Sequence, residues 1–495
     1  MNPFLPLWEY VPDGEPRVFG DRVYLYGSHD QFGALPYCYN DYTVWSAPVT
    51  DLTQWTHHGV TYRKEQNPTN ADHTFSMWAP DVVLGGDGRY YLFHGFEFEP
   101  RIAVAVADKP EGPFEFYGHV AYPDGALYGT KDGDGFPFDP GVLVDDDGRV
   151  YMYIGFVPRD EMLWSRMPGH NQHKGCYVVE LTGDMLTVVG EPRLVAPGRP
   201  YSSGTGYEGH EFFEAPSMRK IDDTYYLIYS SFLGNELCYA TSDHPMKGFE
   251  FRGTLVSNGD VGINGATQEA PLNYIANTHG SVVEVEGQWY VFYHRHTNRQ
   301  QAARQAVAEP IAFDPATGAF TQSEMTSSGL RNAPLPGVGS YPAAIACVLM
   351  GANGAGPMPF ASDDPERFVN GAWGAVLTDL PIKHGEHPYF TQSMPDREEN
   401  ADQHIANLRD GAVVGFRYFD LTGTSAVELE LRGDGTGQVE VATELDGPAV
   451  ATAPVTGGQP TVVELPAELG ERTALYLTFR ISGEVSFHTL TFRTA

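Results

Sequence analysis

One short phrase recurs five times in the first two thirds of this chain, and its spacing constrains the fold more than any other feature. The phrases are Asp21-Arg22-Val23-Tyr24-Leu25-Tyr26, Gly88-Arg89-Tyr90-Tyr91-Leu92-Phe93, Gly148-Arg149-Val150-Tyr151-Met152-Tyr153, Asp223-Thr224-Tyr225-Tyr226-Leu227-Ile228 and Gly287-Gln288-Trp289-Tyr290-Val291-Phe292. Their aligned tyrosines, Tyr24, Tyr91, Tyr151, Tyr226 and Tyr290, are 67, 60, 75 and 64 residues apart. Ten to twelve positions upstream of each stands a polar residue: Asp13, Asp81, Asp139, Glu214 and His279. Self-similarity at such a period means that one supersecondary unit is stacked linearly or radially. If each upstream residue begins the same strand of its unit, four carboxylates and one imidazole converge on one face.

The units read as β. Each phrase is apolar or alternating over five to six residues, and Asp87-Gly88, Asp147-Gly148, Asp222-Asp223 and Glu286-Gly287 supply hairpin-type turns before four of them. Further β-rich segments follow, such as Ile102–Val106 and Cys176–Glu180, with no strong helical period. Four-stranded units around an axis describe a β-propeller, and five units make it five-bladed. Residues 1–318 are assigned to it. Residues 319–366 lose the repeat and read as a connector rich in Gly, Pro, Ser and Ala. Residues 367–495 carry short alternating strands that suggest a β-sandwich. The predicted class is all-β, a five-bladed β-propeller followed by a C-terminal β-sandwich.

Composition narrows the partners. Lys and Arg number 31 against 64 Asp and Glu, a net charge of −33. Such a surface repels phosphate backbones, so nucleic acid is excluded and a neutral oligosaccharide fits. No apolar run of membrane-spanning length occurs, so no membrane partner is expected. The start of the sequence has neither a basic region nor a signal-length apolar stretch, which predicts a cytoplasmic protein. The four cysteines are far apart without CxxC spacing, so they read as buried free thiols.

The acids share a local signature. Val11-Pro12-Asp13, Trp78-Ala79-Pro80-Asp81, Asp139-Pro140 and Glu214-Ala215-Pro216 each place Pro within two residues of a carboxylate. Pro fixes the chain and removes a strand-pairing donor, so these acids belong at strand starts. Paired carboxylates flanking one bond are the equipment of glycoside hydrolysis, one protonated and one ionised. Together with His279-Gly280-Ser281, these motifs resemble glycoside hydrolase family 43 over about residues 1–318. The resemblance implies Asp13 as general base, Asp139 as modulator and orienter of the acid, and Glu214 as general acid. It implies a five-bladed propeller and inversion of anomeric configuration. The chain departs from many members in Gly14-Glu15 after the base and in Ala215 after the acid.

Several residues keep two readings. Phe32 and Trp78 serve as sugar platforms or as core packing. Asp81, in phase with the catalytic acids, is assigned to substrate binding. Arg304 resembles the family's substrate-binding arginine, the alternative being a surface arginine. The resemblance implies calcium or another ion on the axis, held through His279 and waters; the alternative is a histidine hydrogen-bonded within the channel. No cofactor is needed for the chemistry. The predicted activity is exo-hydrolysis of terminal α-L-arabinofuranose from plant-type oligosaccharides. The alternatives are a β-D-xylosidase and, from another class, a non-catalytic carbohydrate-binding propeller.

Overall fold

The computed structural model describes residues 1–34, 37–97, 99–158, 172–356, 384–393 and 402–494. The chain is all-β, and its helical content among those residues is four short 3-10 turns. No helix among the described residues is long and apolar enough to cross a membrane.

Each repeated phrase forms the second strand of a four-stranded antiparallel sheet: Arg22–Tyr26, Tyr90–Phe96, Val150–Ile154, Thr224–Ser231 and Gln288–His296. These strands are almost wholly buried because they pair on both edges and pack on both faces, which is why their phrases are so apolar. The first strands are Glu15–Phe19, Asp81–Leu84, Gly141–Val144, Phe212–Ile221 and Ser281–Val285, so the upstream polar residues stand at or beside their starts. Ala319–Thr321, inside the stretch read as connector, is the fourth strand of the fifth sheet.

Apolar clusters join each sheet to the next. Val82 and Leu92 of the second sheet pack with Tyr24, Tyr26 and Val44 of the first. Val23, Leu25 and Trp45 of the first pack with Val283, Val285 and Phe292 of the fifth. Trp45, Trp55 and Trp289 all lie in these inter-sheet layers.

Polar staples also tie the first strands together. Asp81, fully buried, accepts from Arg17 Nε at 3.0 Å and from Arg17 Nη2 at 2.6 Å. Its oxygens also accept from the backbone N–H groups of Val82 and Val142, both at 2.7 Å. Arg219 Nη2 donates to Glu15 at 2.8 Å, and Ser217 and Ser281 share a hydroxyl hydrogen bond of 2.8 Å. Both oxygens of Asp81, which the sequence assigned to substrate binding, thus serve neighbouring strands. Asp81→Ala would strand the Arg17 charge, whose side chain is 14% exposed. Breaking such a pair costs about 3–5 kcal/mol. Chemical denaturation should register that loss; a loss below about 1 kcal/mol, typical of exposed pairs, would refute the staple.

Residues after Thr321 build two further six-stranded sheets. Strands Val413–Asp420, Thr436–Ala442 and Thr473–Ser482 lie in one, and Gln403–Leu408, Thr424–Gly433 and Val485–Thr494 in the other. Their inward residues, among them Leu429, Phe416, Leu475 and Phe487, share one core. This portion is bonded to the repeats: Arg417 Nη1 donates to Asp260 at 2.5 Å, and Tyr10 OH donates to Gln392 at 2.7 Å. Trp373 and the start assigned to the sandwich, residue 367, lie outside the described residues.

Candidate active site

The local chain explains how the acids are aimed. Asp13 and Asp139 take left-handed backbone angles, φ 58° and 49°, conformations that Asp tolerates better than most residues. Glu214 lies within its strand, but the register slips between Glu214 and Ser217, with Ala215 at φ 64°. A bulge of this kind re-aims the side chain out of the ladder, and Pro216, lacking N–H, suits it. Gly141 has room for no side chain, because a Cβ there would meet Pro216 O at 2.2 Å. That contact brings the chain just after Asp139 against the chain just after Glu214.

Asp13 is held by an arginine and a histidine. Arg304 Nη1 donates to its Oδ1 at 2.7 Å. His294 Nδ1 lies 3.4 Å from the same oxygen and 3.3 Å from the Asp13 backbone N. A backbone N–H can only donate, so Nδ1 accepts; His294 Nε2 then carries the proton and donates to Asn277 O at 2.8 Å. The ring is fully buried, and burial pushes its pKa well below the usual histidine value, with the charges of Arg304, His296 and His279 adding to the effect. His294 is neutral.

Arg304 itself is buried and committed. Its Nε and Nη2 donate to Asp30 at 2.8 and 3.0 Å, and its guanidinium lies over the Tyr37 ring at 4.8 Å. Tyr37 lies near enough to Glu214 for that carboxylate's charge, after burial itself, to hold the phenol's pKa up. Arg304 is thus no surface arginine but the bridge between Asp13, Asp30 and the Tyr37 edge of the site.

His279 Nδ1 lies 3.5 Å from Asp139 Oδ2 and 3.9 Å from Asp13 Oδ1, all three groups being buried. Burial alone would lower its pKa, but the hydrogen bond and charge of Asp139, with Asp13 behind it, carry it up to about 9. Asp139 moves up as well: burial raises its pKa and Asp13 adds to that, while His279 and Arg304 pull against them. The set can therefore hold a protonated imidazole between two acids.

The raised histidine pKa fixes a sign. Its stabilising effect is fully present below the ordinary value of 6.5 and is lost as pH rises through about 9. A shift of this size is worth roughly 3 kcal/mol. The stability advantage of the native chain over His279→Gln should therefore be greatest in mild acid and should vanish in alkali. An advantage that grows with pH would reverse the assignment.

An axial ion held through His279 would be met by its other ring nitrogen and by waters, because Nδ1 faces Asp139 and Asp13. Calcium takes oxygen ligands, which at this position are waters in the reading the resemblance implies. Among the described residues, His279 belongs to no group of three ligand side chains whose donor atoms converge within 4.8 Å.

Of the aromatic candidates, Trp78 is half-buried and meets Phe138, the neighbour of Asp139, edge-on at 4.5 Å. Phe32 is buried against Tyr10 and Ala303. The structure thus brings together Asp13, Asp139, His279 and Arg304, with Glu214 on the adjoining bulge and Trp78 beside Asp139, and leaves Asp81 among the staples. Sequence reasoning missed Asp30, Tyr37 and His294. The only signal for Asp30 and His294 was a titratable group a few residues after, or within, an apolar repeat strand.

Three buried acids, Asp13, Asp139 and Glu214, at the first strands of three sheets describe a carboxylate-based hydrolytic site, and comparison with known proteins agrees with that class. A family profile described as "Glycosyl hydrolases family 43" matches residues 2–317. The chain belongs to this family and is a glycoside hydrolase. A protein from Thermoclostridium stercorarium named xylosidase/arabinosidase is 45% identical over 100% of this chain and 99% of its own length. Another, xylosidase/arabinosidase 43A from Humicola insolens, is 32% identical over 58% of this chain and 88% of its own. A solved family 43 β-xylosidase/α-arabinofuranosidase from a compost microbial metagenome, in a calcium-free complex with xylotriose, superposes with a TM-score of 0.51 at 27% identity. It covers 65% of this chain and 97% of that one. An arabinoxylan arabinofuranohydrolase from Bacillus subtilis, solved with cellotetraose, has a TM-score of 0.50 at 20% identity, covering 100% and 97%; that likeness concerns the fold.

Proposed function

We propose that this glycoside hydrolase removes terminal pentose, α-L-arabinofuranose first, from plant-type oligosaccharides with inversion of the anomeric centre. The observation that carries the reading is the buried Asp13 held by Arg304 and His294 beside the Asp139–His279 pair. In this reading Asp13 is the general base: Arg304 holds its carboxylate and His294 accepts from its backbone N–H, so the acid stands in one orientation, ready to take a proton from water. Glu214, on its bulge, is the general acid that protonates the leaving oxygen. Asp139 is the modulator whose negative charge keeps the acid protonated until it is needed. Carboxylates and water suffice for these steps. Trp78 offers a platform for an apolar sugar face.

The names of the relatives couple arabinosidase with xylosidase, which favours β-D-xyloside hydrolysis at the same site as the second reading. The five sheets joined first-to-fifth support a five-bladed propeller that runs on through Ala319–Thr321, and the two later sheets with a common core support a β-sandwich that also takes the strands Leu335–Pro336, Gly339–Pro342 and Val348–Met350 from the stretch 319–366 read as connector. The bonds from Arg417 and Gln392 to the repeats support a packing role for that sandwich.

Activity should be measured on aryl α-L-arabinofuranosides, aryl β-D-xylosides and short arabino- and xylo-oligosaccharides, with products followed over time. Early release of arabinose monomers supports the first reading, and of xylose monomers the second. Accumulation of internal fragments, or inertness to every pentoside, would overturn exo-pentosidase action.

A further inference from the structure

We infer that His210, Glu236 and Cys238 form a site for a zinc-class divalent cation, which clips the segment entering the Glu214 strand to the outer part of the same sheet. This site is distinct from the catalytic acids and does not depend on the roles given to them. Glu236 and Cys238 stand two apart on the strand Glu236–Ser242, so strand alternation points both to one face. His210 comes from the loop two residues before the strand Phe212–Ile221. Its Nδ1 lies 2.7 Å from Glu236 Oε1 and 3.8 Å from Cys238 Sγ, and the three donor atoms lie within 4.8 Å of one another.

Around these ligands is the kind of support that metal ligands need. Ser231 Oγ donates to Glu236 Oε1 at 2.7 Å, and Thr254 Oγ1 donates to Oε2 at 3.0 Å. The His210 ring lies flat on Phe251, with centroids 4.7 Å apart and planes at 11°. Tyr229 OH donates to the His210 carbonyl at 2.7 Å.

Thiolate, imidazole and carboxylate together suit zinc, not the oxygen-seeking calcium or magnesium. Zinc bond lengths in a tetrahedron put N and S about 3.5 Å apart and N and O about 3.3 Å apart. The observed N–S distance is already close; the N–O distance must open by about half an ångström. The His210 side chain, 35% exposed, has room to make that movement, and the same opening admits water as the fourth ligand. Binding replaces the His210–Glu236 hydrogen bond: the Nδ1 proton passes to Nε2 or, from an imidazolium, to solvent, and the Cys238 thiol proton is released to solvent. The ligands come from chain segments 26 and 28 residues apart, so no CxxC pattern announces them.

The test is titration of the reduced, metal-free chain with Co2+, followed by displacement with Zn2+. The expected result is a thiolate-to-cobalt charge-transfer band that saturates at one equivalent and disappears on adding Zn2+. Cys238→Ser should lack the band. The other converging ligand group among the described residues, Asp402 with His404 and His488, holds no thiol and cannot produce it. His210→Ala, at a half-exposed position, should also lose the band and serves if Cys238→Ser does not fold. A native chain that shows no thiolate band, or a folded variant that keeps it, overturns the site.

Discussion

Glu214→Ala is expected to cut hydrolysis of natural pentosides by about 10²–10⁴-fold, the range typical of a positioned general acid. Sugar alkoxides are poor leaving groups and depend on that proton. Aryl pentosides with acidic phenols leave without one, so the same variant should retain much more of its activity on them. The contrast, not the loss itself, is diagnostic, because a misfolded variant loses both. The bulge at Ala215 is set by backbone angles and Pro216, and truncating the Glu214 side chain leaves both in place. Equal losses on the two substrate classes, with unchanged stability, would remove Glu214 from the acid role.

Asp13→Asn should show the opposite pattern. A base that activates water is needed whatever the leaving group, so both substrate classes should lose about 10²–10⁴-fold. The amide keeps the shape and can still accept from Arg304, so KM should move much less than kcat. Arg304 retains both hydrogen bonds to Asp30, which limits the structural cost. A variant that loses only the natural substrates would exchange the roles of Asp13 and Glu214.

The sheets were legible in the sequence because their central strands are local events. A short apolar run after a turn such as Asp147-Gly148 needs no distant information to be read as a strand, and five in register imply five sheets. The positions of Asp13, Asp139 and Glu214 were legible for a related reason: Pro marks the strand start beside Asp13 and Asp139 and the bulge beside Glu214, where each acid leaves the ladder. The same local signature surrounds Asp81, whose oxygens serve neighbouring strands. Whether an acid faces the site or a neighbouring strand depends on what meets it, and Arg17 meets Asp81 from 64 residues away. Arg304 pairs with Asp30 across 274 residues and with Asp13 across 291. Ion pairs at such separations leave no periodic trace. His294 carried even less signal, since its role rests on a tautomer fixed by Asn277 and the Asp13 backbone.

The central claim is that Asp13 delivers water from the face opposite Glu214, so that displacement occurs once. Proton NMR of the first sugar released, recorded before mutarotation, tests this most directly. The account predicts a product of inverted anomeric configuration and no glycosyl-enzyme in any variant. A first product that keeps the substrate's configuration would require a nucleophilic carboxylate and would contradict the roles given to Asp13 and Glu214.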